Sequence, residues 1–184
     1  MRMEIKISGY GGQGVITLGS MLTEGAVYFK NLSAVQTSAY GVASRGGACW
    51  SEVVVSDEEI GYPRATKPDY AIIFSQEAAD KYGKFIKDDG VIIYDSSIVK
   101  ELHTKKGVKV YGIPATKLSV NELGRPLHAN MIILGFFITL TKMMTKDDVK
   151  KLIESRFPKH MIEANLKAFE MGCKLAETTK PVKP

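Results

Sequence analysis

The sequence Gly-Tyr-Gly-Gly-Gln-Gly-Val at residues 9–15 decides how the rest of the chain is interpreted. It follows residues 3–8, where apolar and polar side chains alternate as in a half-buried strand. It precedes residues 15–29, whose apolar spacing predicts a helix. A glycine-rich turn between a strand and a helix leaves backbone N–H groups free to face a phosphate, a carboxylate or an oxygen-rich partner surface.

The length and composition of the chain fit one globular domain. It has 184 residues, of which 45% are hydrophobic and 24% charged, and both fractions are ordinary for a globular protein. We predict a single domain over residues 1–178 and a polar, fraying tail over residues 179–184. The chain enters its first strand without a signal-peptide pattern, so we expect a cytoplasmic protein. Its longest apolar run, residues 131–140, is too short to cross a membrane.

Charge and metal-ligand spacing exclude several function classes. The net charge of +5 comes from scattered lysines and not from an arginine-rich stripe, so we predict no nucleic-acid binding. Cys49 and Cys173 lie far apart and cannot supply the four thiolates of an iron–sulfur cluster, so we expect reduced thiols. His103, His128 and His160 are isolated from one another in sequence, so we predict no metal site.

The predicted elements alternate between strands and helices. After the first pair, further strands are predicted at residues 33–37, 48–56, 70–74, 91–94 and 108–111, and helices at residues 76–86, 96–102, 114–123, 127–144, 145–155 and 158–178. Residues 38–47 are rich in small side chains and predict a loop or a poorly periodic helix. The pattern predicts a three-layer α/β/α sandwich with a Rossmann-like, mostly parallel or mixed sheet that has room for one antiparallel strand.

The spacing Gly9-x-Gly11-x-x-Gly14 satisfies the glycine pattern of dinucleotide-binding folds. That pattern also needs an acidic residue about twenty positions later to bind the ribose hydroxyls. No Asp or Glu occurs between Glu24 and Glu52, and the turn lacks the Gly-Lys-Ser/Thr of a phosphate-binding P-loop. A bound dinucleotide is therefore disfavoured, and a free-standing nucleotide-binding protein is kept as an alternative.

A second candidate site follows the second predicted strand. Arg45-Gly46-Gly47 places a guanidinium beside two glycines, which suits either an anion or partner-carboxylate contact or an ordinary turn. Asn130, at the head of an apolar helix, either caps that helix or bonds across to the glycine turn. The candidate docking and anion-binding residues are Gly9, Gly11, Gly12, Gln13, Gly14, Ser38, Tyr40, Gly41, Arg45, Gly46, Gly47 and Asn130.

These segments resemble the gamma subunits of the 2-oxoacid:ferredoxin oxidoreductases, equivalent to domain III of the pyruvate enzyme. Residues 9–14 are similar to the family's opening Gly-x-Gly-Gly-Gln-Gly signature, and residues 36–47 to its second signature, Ser-Tyr-Gly-x-x-x-Arg-Gly-Gly. Later similarities lie at residues 51–56, Pro68-Asp69, Asn130-Met131-x-x-Leu134-Gly135, Asn165, Phe169 and Gly172. Two departures alter the second signature. Ala39 interrupts the family's Ser-Tyr run, and Val42-Ala43 replaces the more usual Pro-Glu before the arginine.

The resemblance implies a non-catalytic subunit of a complex that oxidatively decarboxylates a 2-oxoacid to an acyl-CoA and CO2 while reducing ferredoxin. Thiamine diphosphate, the iron–sulfur clusters and CoA would belong to the assembled complex, with none held by this chain. The implied partners are the alpha and beta subunits, with a delta subunit in some assemblies, and ferredoxin through the complex. We expect the isolated chain to be inactive and able to form a homodimer.

Within the family, the sequences of two segments resemble the 2-oxoglutarate branch most. These are Ala34-Val35-Gln36-Thr37 and residues 51–60, whereas the pyruvate branch typically has Phe-Gly-x-Glu-Arg-Arg-Gly-Ala in its second loop. A gamma-type subunit for pyruvate, a branched-chain 2-oxoacid or indolepyruvate is the alternative within the family.

Overall fold

The computed structural model describes residues 1–41 and 47–182. The strands are β1 (Arg2–Tyr10), β2 (Ser33–Tyr40), β3 (Ala48–Ser56), β4 (Tyr70–Ile73), β5 (Val91–Asp95) and β6 (Lys109–Ile113). The helices are α1 (Val15–Lys30), α2 (Gln76–Tyr82), α3 (Ala115–Leu123), α4 (Ala129–Thr141), α5 (Lys146–Arg156) and α6 (Lys159–Thr178), and the 3-10 turn Pro126–His128 leads into α4.

The six strands form one mixed sheet in the order β2-β3-β1-β4-β5-β6. β1, β4, β5 and β6 pair in parallel, whereas β3 runs antiparallel to both of its neighbours, β1 and β2. The predicted mixed sheet is therefore confirmed, with β3 as its antiparallel strand. Because β1 and β2 run in the same direction, the glycine turn and the segment after β2 both lie at the carboxyl ends of these strands.

Helices cover both faces of the sheet, as predicted for a three-layer α/β/α fold. On one face, α1 and α3 to α6 pack around a core that includes Ile5, Ile7 and the buried residues of α4. On the other face, α2 covers β4 and β5. α4 and α6 cross at two glycines. A Cβ at Gly172 would lie 2.8 Å from the carbonyl carbon of Ile132, and one at Gly135 would lie 2.9 Å from the backbone nitrogen of Cys173. Only glycine permits this close approach.

An ion cluster lies between β1 and β3 on the face opposite α1. The Lys6 ammonium lies 2.7 Å from Glu52 Oε1 and 4.1 Å from the centre of the Trp50 ring, and Arg64 Nε lies 2.6 Å from Glu52 Oε2. Burial lowers the pKa of Lys6. Burial opposes ionisation of Glu52, but the hydrogen bonds from Arg64 and Lys6 outweigh it and lower the pKa of the carboxyl. The buried Lys6–Glu52 ion pair therefore links β1 to β3.

Three predicted elements differ from the observed ones. Residues 38–40 continue β2 instead of forming a loop or helix, because they pair in register with β3. The predicted helix at residues 96–102 is a turn, since the buried Asp95 carboxylate accepts hydrogen bonds from the backbone N–H groups of Ser97 and Thr116. The helix predicted at residues 76–86 ends at Tyr82, one residue before Gly83.

The other differences lie at element ends. The long apolar helix is shorter than the predicted 127–144, because Lys142 adopts a left-handed backbone with a φ of 55°, as Asn31 does after α1 with a φ of 52°. The tail predicted to fray is tied down up to Val182, whose N–H donates to the Val110 carbonyl on β6 at 2.7 Å. Thr145 caps α5 as predicted and forms a reciprocal capping box with Asp148.

Candidate functional site at the glycine turn

The glycine turn joins β1 to α1, as the sequence predicted. Gly12 and Gly14 have φ values of +95° and +76°, a region that L side chains rarely adopt. Gly14 is the N-cap of α1, where no side chain caps the helix and the first turn carries no acidic residue. The N–H groups at the start of α1 therefore have no intrahelical partner, and they carry the positive end of the helix dipole.

Gln13 holds the turn in place instead of pointing outward. Its Oε1 accepts a hydrogen bond from the Tyr10 N–H at 2.6 Å, and its Nε2 donates to the Phe74 carbonyl at 3.0 Å. The side chain thus links the end of β1 to the end of β4. A Cβ at Gly9 would lie 2.5 Å from the same Oε1, so Gly9 makes room for this link. Sequence reasoning grouped Gln13 with the docking residues and missed its positioning role.

The segment after β2 reaches the glycine turn. The Gly11 N–H donates to the Gly47 carbonyl at 3.1 Å, and the Gly41 N–H donates to the Ala48 carbonyl at 2.6 Å. Tyr40, the last residue of β2, is 73% exposed. Of the predicted second loop, Arg45 and Gly46 lie outside the described residues. Ser38 is exposed on β2 and is not among the residues that line the cavities beside the turn.

Asn130 packs against the glycine turn. A Cβ at Gly14 would lie 2.7 Å from Asn130 Cγ and 3.1 Å from its Cβ. α4 begins after His128 without a side-chain cap hydrogen bond, so the interpretation of Asn130 as a capping residue is wrong. The Asn130 side chain instead sets how closely the N-terminus of α4 approaches that of α1.

A cavity of about 230 Å³ opens beside the turn between α1, α4 and α6. Gly12, Gly14, Asn130 and Asn165 contribute to its lining. Asn165 is 2% exposed, and its Oδ1 lies 2.7 Å from Nδ1 of the buried His128. Within residues 1–41 and 47–182 its Nδ2 has no hydrogen-bond partner. A buried amide donor without a partner is costly, so the cavity favours an oxygen-bearing group.

The chain offers no set of metal or cluster ligands in the part that the structure describes. No group of three His, Cys, Asp or Glu side chains converges there. Cys49 and Cys173 are buried free thiols, and burial raises the pKa of both. Such thiols are poor metal ligands and nucleophiles, because the thiolate is the reactive form. Over the same ranges, no helix has the length and apolar character needed to traverse a bilayer.

Together these features define an α/β domain of the Rossmann-like class with a glycine turn at the carboxyl ends of its parallel strands. Residues 4–175 match the family described as pyruvate ferredoxin/flavodoxin oxidoreductase, and the chain belongs to that family. The family resemblance predicted from the two glycine signatures is confirmed.

Relatives with established names cover nearly the whole chain. The chain is 42% identical over 178 residues to the 2-oxoglutarate synthase subunit KorC of Methanocaldococcus jannaschii, covering 96% of this chain and 95% of the relative. It is 38% identical to the subunit of the same name from Archaeoglobus fulgidus, covering 97% and 91%. The pyruvate synthase subunit PorC of Methanothermobacter marburgensis is less similar, with 29% identity over 90% of this chain and 93% of that relative.

Solved structures of 2-oxoacid:ferredoxin oxidoreductases share the fold of this chain. The gamma subunit of a keto/oxoacid ferredoxin oxidoreductase from Geobacter sulfurreducens has a TM-score of 0.87 and 36% identity, covering 98% of this chain and 99% of that one. The 2-oxoglutarate:ferredoxin oxidoreductase of Magnetococcus marinus also has a TM-score of 0.87 with 23% identity. This chain aligns over its whole length with 32% of that longer chain, which supports the fold.

Proposed function

We propose that this chain is the gamma subunit of a 2-oxoglutarate:ferredoxin oxidoreductase. The assembled complex would oxidatively decarboxylate 2-oxoglutarate to an acyl-CoA and CO2 while it reduces ferredoxin. The observation that carries the proposal is the 42% identity, over nearly full length, to a 2-oxoglutarate synthase subunit. Identity to the ketoisovalerate and pyruvate relatives is 29–30%. The higher identity to the 2-oxoglutarate relative favours 2-oxoglutarate as the substrate of the complex over the other 2-oxoacids.

The proposed partners are the alpha and beta subunits of the complex, with a delta subunit in some assemblies, and the proposed location is the cytoplasm. Thiamine diphosphate and the iron–sulfur clusters would be held by these partners, since two buried thiols cannot supply four thiolates. This chain would then act by docking, without a redox centre of its own. Purified without its partners, it would be inactive and would pair with a second copy of itself.

The residues at the glycine turn fit an oxygen-rich group from a partner subunit or from CoA. The N–H groups at the start of α1 favour negative charge, and the Asn165 amide lacks an acceptor. CoA would supply the thiol that accepts the acyl group and the phosphates that such N–H groups bind. In this arrangement Gln13 and Asn130 hold the turn, while Asn165 and the N-terminus of α1 meet the incoming oxygen atoms.

Exposed apolar side chains surround the turn and support the docking role. Tyr40, Leu127 and Ile98 are 73%, 47% and 37% exposed. Tyr40 and Leu127 line the 230 Å³ cavity, and Ile98 and Leu127 line its neighbour on the other side of the turn. Large apolar side chains clustered around a polar recess are typical of a surface that another protein covers.

Affinity purification of the tagged chain from its native cells tests the proposal. We expect it to recover a thiamine-binding chain and a cluster-bearing chain, and recovery of neither contradicts the proposal. Leu127→Lys should lower that recovery at least tenfold, because it places a charge in the proposed interface. Val120→Lys is the matched control, since Val120 is 44% exposed on α3, away from the turn, and it should leave recovery unchanged.

Substrate profiling of the purified complex tests the branch. We expect CoA-dependent ferredoxin reduction with 2-oxoglutarate to exceed that with pyruvate, 2-oxoisovalerate and indolepyruvate by at least tenfold in kcat/KM. A complex that prefers one of the other three would keep the gamma-subunit assignment and overturn the 2-oxoglutarate assignment.

A further inference from the structure

β2 is an edge strand without the usual features that protect an edge. It pairs with β3 over Ser33–Tyr40 in unbroken register, so it has no bulge, and it contains no charged residue and no proline. The opposite edge of the sheet differs, because Val182 bridges to Val110 on β6 and covers part of it. Long, uncharged, regular edge strands are templates for pairing with another strand.

The free hydrogen-bonding groups of β2 can be assigned from its register. The Gly41 N–H donates to the Ala48 carbonyl, which makes residues 41 and 48 a hydrogen-bonded pair. In an antiparallel ladder such pairs occur at every second residue. The backbone groups of Ala34, Gln36, Ser38 and Tyr40 therefore point away from β3. None of these groups has a backbone partner outside its own strand pair in the described residues.

This strand is complementary to an antiparallel copy of itself. With a twofold axis at Thr37, Ala34 faces Tyr40 of the second copy and Gln36 faces Ser38. Each of these pairs joins two residues whose N–H and C=O groups point outward, so every pair exchanges two hydrogen bonds. The pairing places a small side chain opposite an aromatic one and a polar side chain opposite another, with no like charges in contact.

The helix that flanks the edge is also compatible with a second copy. Gln36 donates to the Ile16 carbonyl, and Ser20 donates to Gln36, so these α1 residues lie beside β2. Thr23 and Val27 continue the same stripe at helical spacing. The stripe carries no charge, and Val27 is 42% exposed. The acidic Glu24 is turned away and pairs with Arg156 on α5. Two α1 helices could therefore pack across the axis.

We propose that two copies of this chain pair through β2 around a twofold axis at Thr37, which joins their sheets into one. Twofold symmetric contacts need a self-complementary surface, and residues 33–40 with the α1 stripe supply one. This inference does not depend on the proposed enzymatic role, because its test measures mass and cross-linking and not activity.

Sedimentation equilibrium of the full chain measures the association. We expect a species of about twice the 20.2 kDa monomer mass at micromolar concentration. Ala34→Pro removes an outward N–H on both copies while leaving the bonds to β3 intact, and Val27→Lys puts a lysine on the uncharged α1 stripe of each copy. Each should raise the dimer Kd at least tenfold, whereas Val120→Lys should leave it unchanged. A monomeric unaltered chain, or a dimer that both variants leave intact, would overturn the proposal.

Cysteine cross-linking locates the axis. In Thr37→Cys the two thiols would face each other in a non-hydrogen-bonded pair and should form a disulfide under mild oxidation. In Val35→Cys the thiols would lie about 13 Å apart along the strands and should not. The native Cys49 and Cys173 are buried and do not compete. Cross-linking at residue 35 in preference to 37 contradicts the proposed register.

Discussion

Gly14→Ala and Gly12→Ala form a matched pair that tests how the glycine turn is held. Both glycines have positive φ, so alanine at either position adopts an unfavourable backbone at a cost of about 1–2 kcal/mol. A Cβ at Gly12 meets no atom within 4 Å. A Cβ at Gly14 overlaps the Asn130 side chain, and such overpacking costs about 1–3 kcal/mol more. We therefore expect losses of about 1–2 kcal/mol for Gly12→Ala and about 2–5 kcal/mol for Gly14→Ala.

Urea unfolding followed by the fluorescence of Trp50, the single tryptophan, measures both losses. With an m value of about 2 kcal/mol/M, the two midpoints should differ by about 0.5–1.5 M. Asn130→Ala removes the overlapping Cγ and amide, so Gly14→Ala should cost at least about 1 kcal/mol less in that background. Gly12→Ala should cost the same in either background.

Two results would refute this reasoning about the turn. Equal losses for Gly12→Ala and Gly14→Ala would mean that backbone strain alone decides the cost, without contact with Asn130. An unchanged Gly14→Ala cost in the Asn130→Ala background would mean that α4 does not set the geometry of the α1 N-terminus.

Two further perturbations test the core. Gly172→Ala forces α6 away from the Ile132 carbonyl on α4, so thermal unfolding followed by circular dichroism should show a loss of about 3 kcal/mol in the free energy of unfolding. Gly61→Ala is the control: a Cβ there meets no atom within 4 Å, so stability should change by less than about 0.5 kcal/mol. Glu52→Gln leaves the buried Lys6 ammonium without its carboxylate and should cost about 3–5 kcal/mol at pH 7. Because folding lowers the pKa of Glu52, its contribution is present above the unfolded pKa and is lost as pH falls through the lower folded pKa. The difference between unaltered and Glu52→Gln protein in urea titrations should therefore shrink below about pH 4, and a pH-independent difference would contradict this account.

The strands, most helices and the family were predictable because they rest on local patterns. Alternating residues 3–8, the glycine turn and the apolar run of α4 each determine their own conformation from short-range spacing. The extent of β2 was not predictable in this way. Small residues at 38–40 carry little local preference, and pairing with β3 makes them a strand.

The candidate site was predictable in position and only partly in chemistry. The position of the turn was predictable because closely spaced glycines are a local signal. The role of Gln13 in holding the turn was not, because its side chain donates to the Phe74 carbonyl, which lies sixty-one residues away. The contact between His128 and Asn165 joins the 3-10 turn before α4 to the middle of α6. A histidine without sequence neighbours gives no signal of such a partner. Asn165 was marked in the sequence by the family resemblance, and it is a polar residue within the otherwise apolar buried face of α6.

Reconstitution of the complex with and without this chain tests its assignment as a non-catalytic docking subunit most directly. Ferredoxin reduction would be followed with 2-oxoglutarate, CoA and thiamine diphosphate present. We predict no activity from the chain alone, and a loss of at least tenfold when the partner subunits are assembled without it. Redox activity of the isolated chain, or full activity of the partners in its absence, would contradict the assignment.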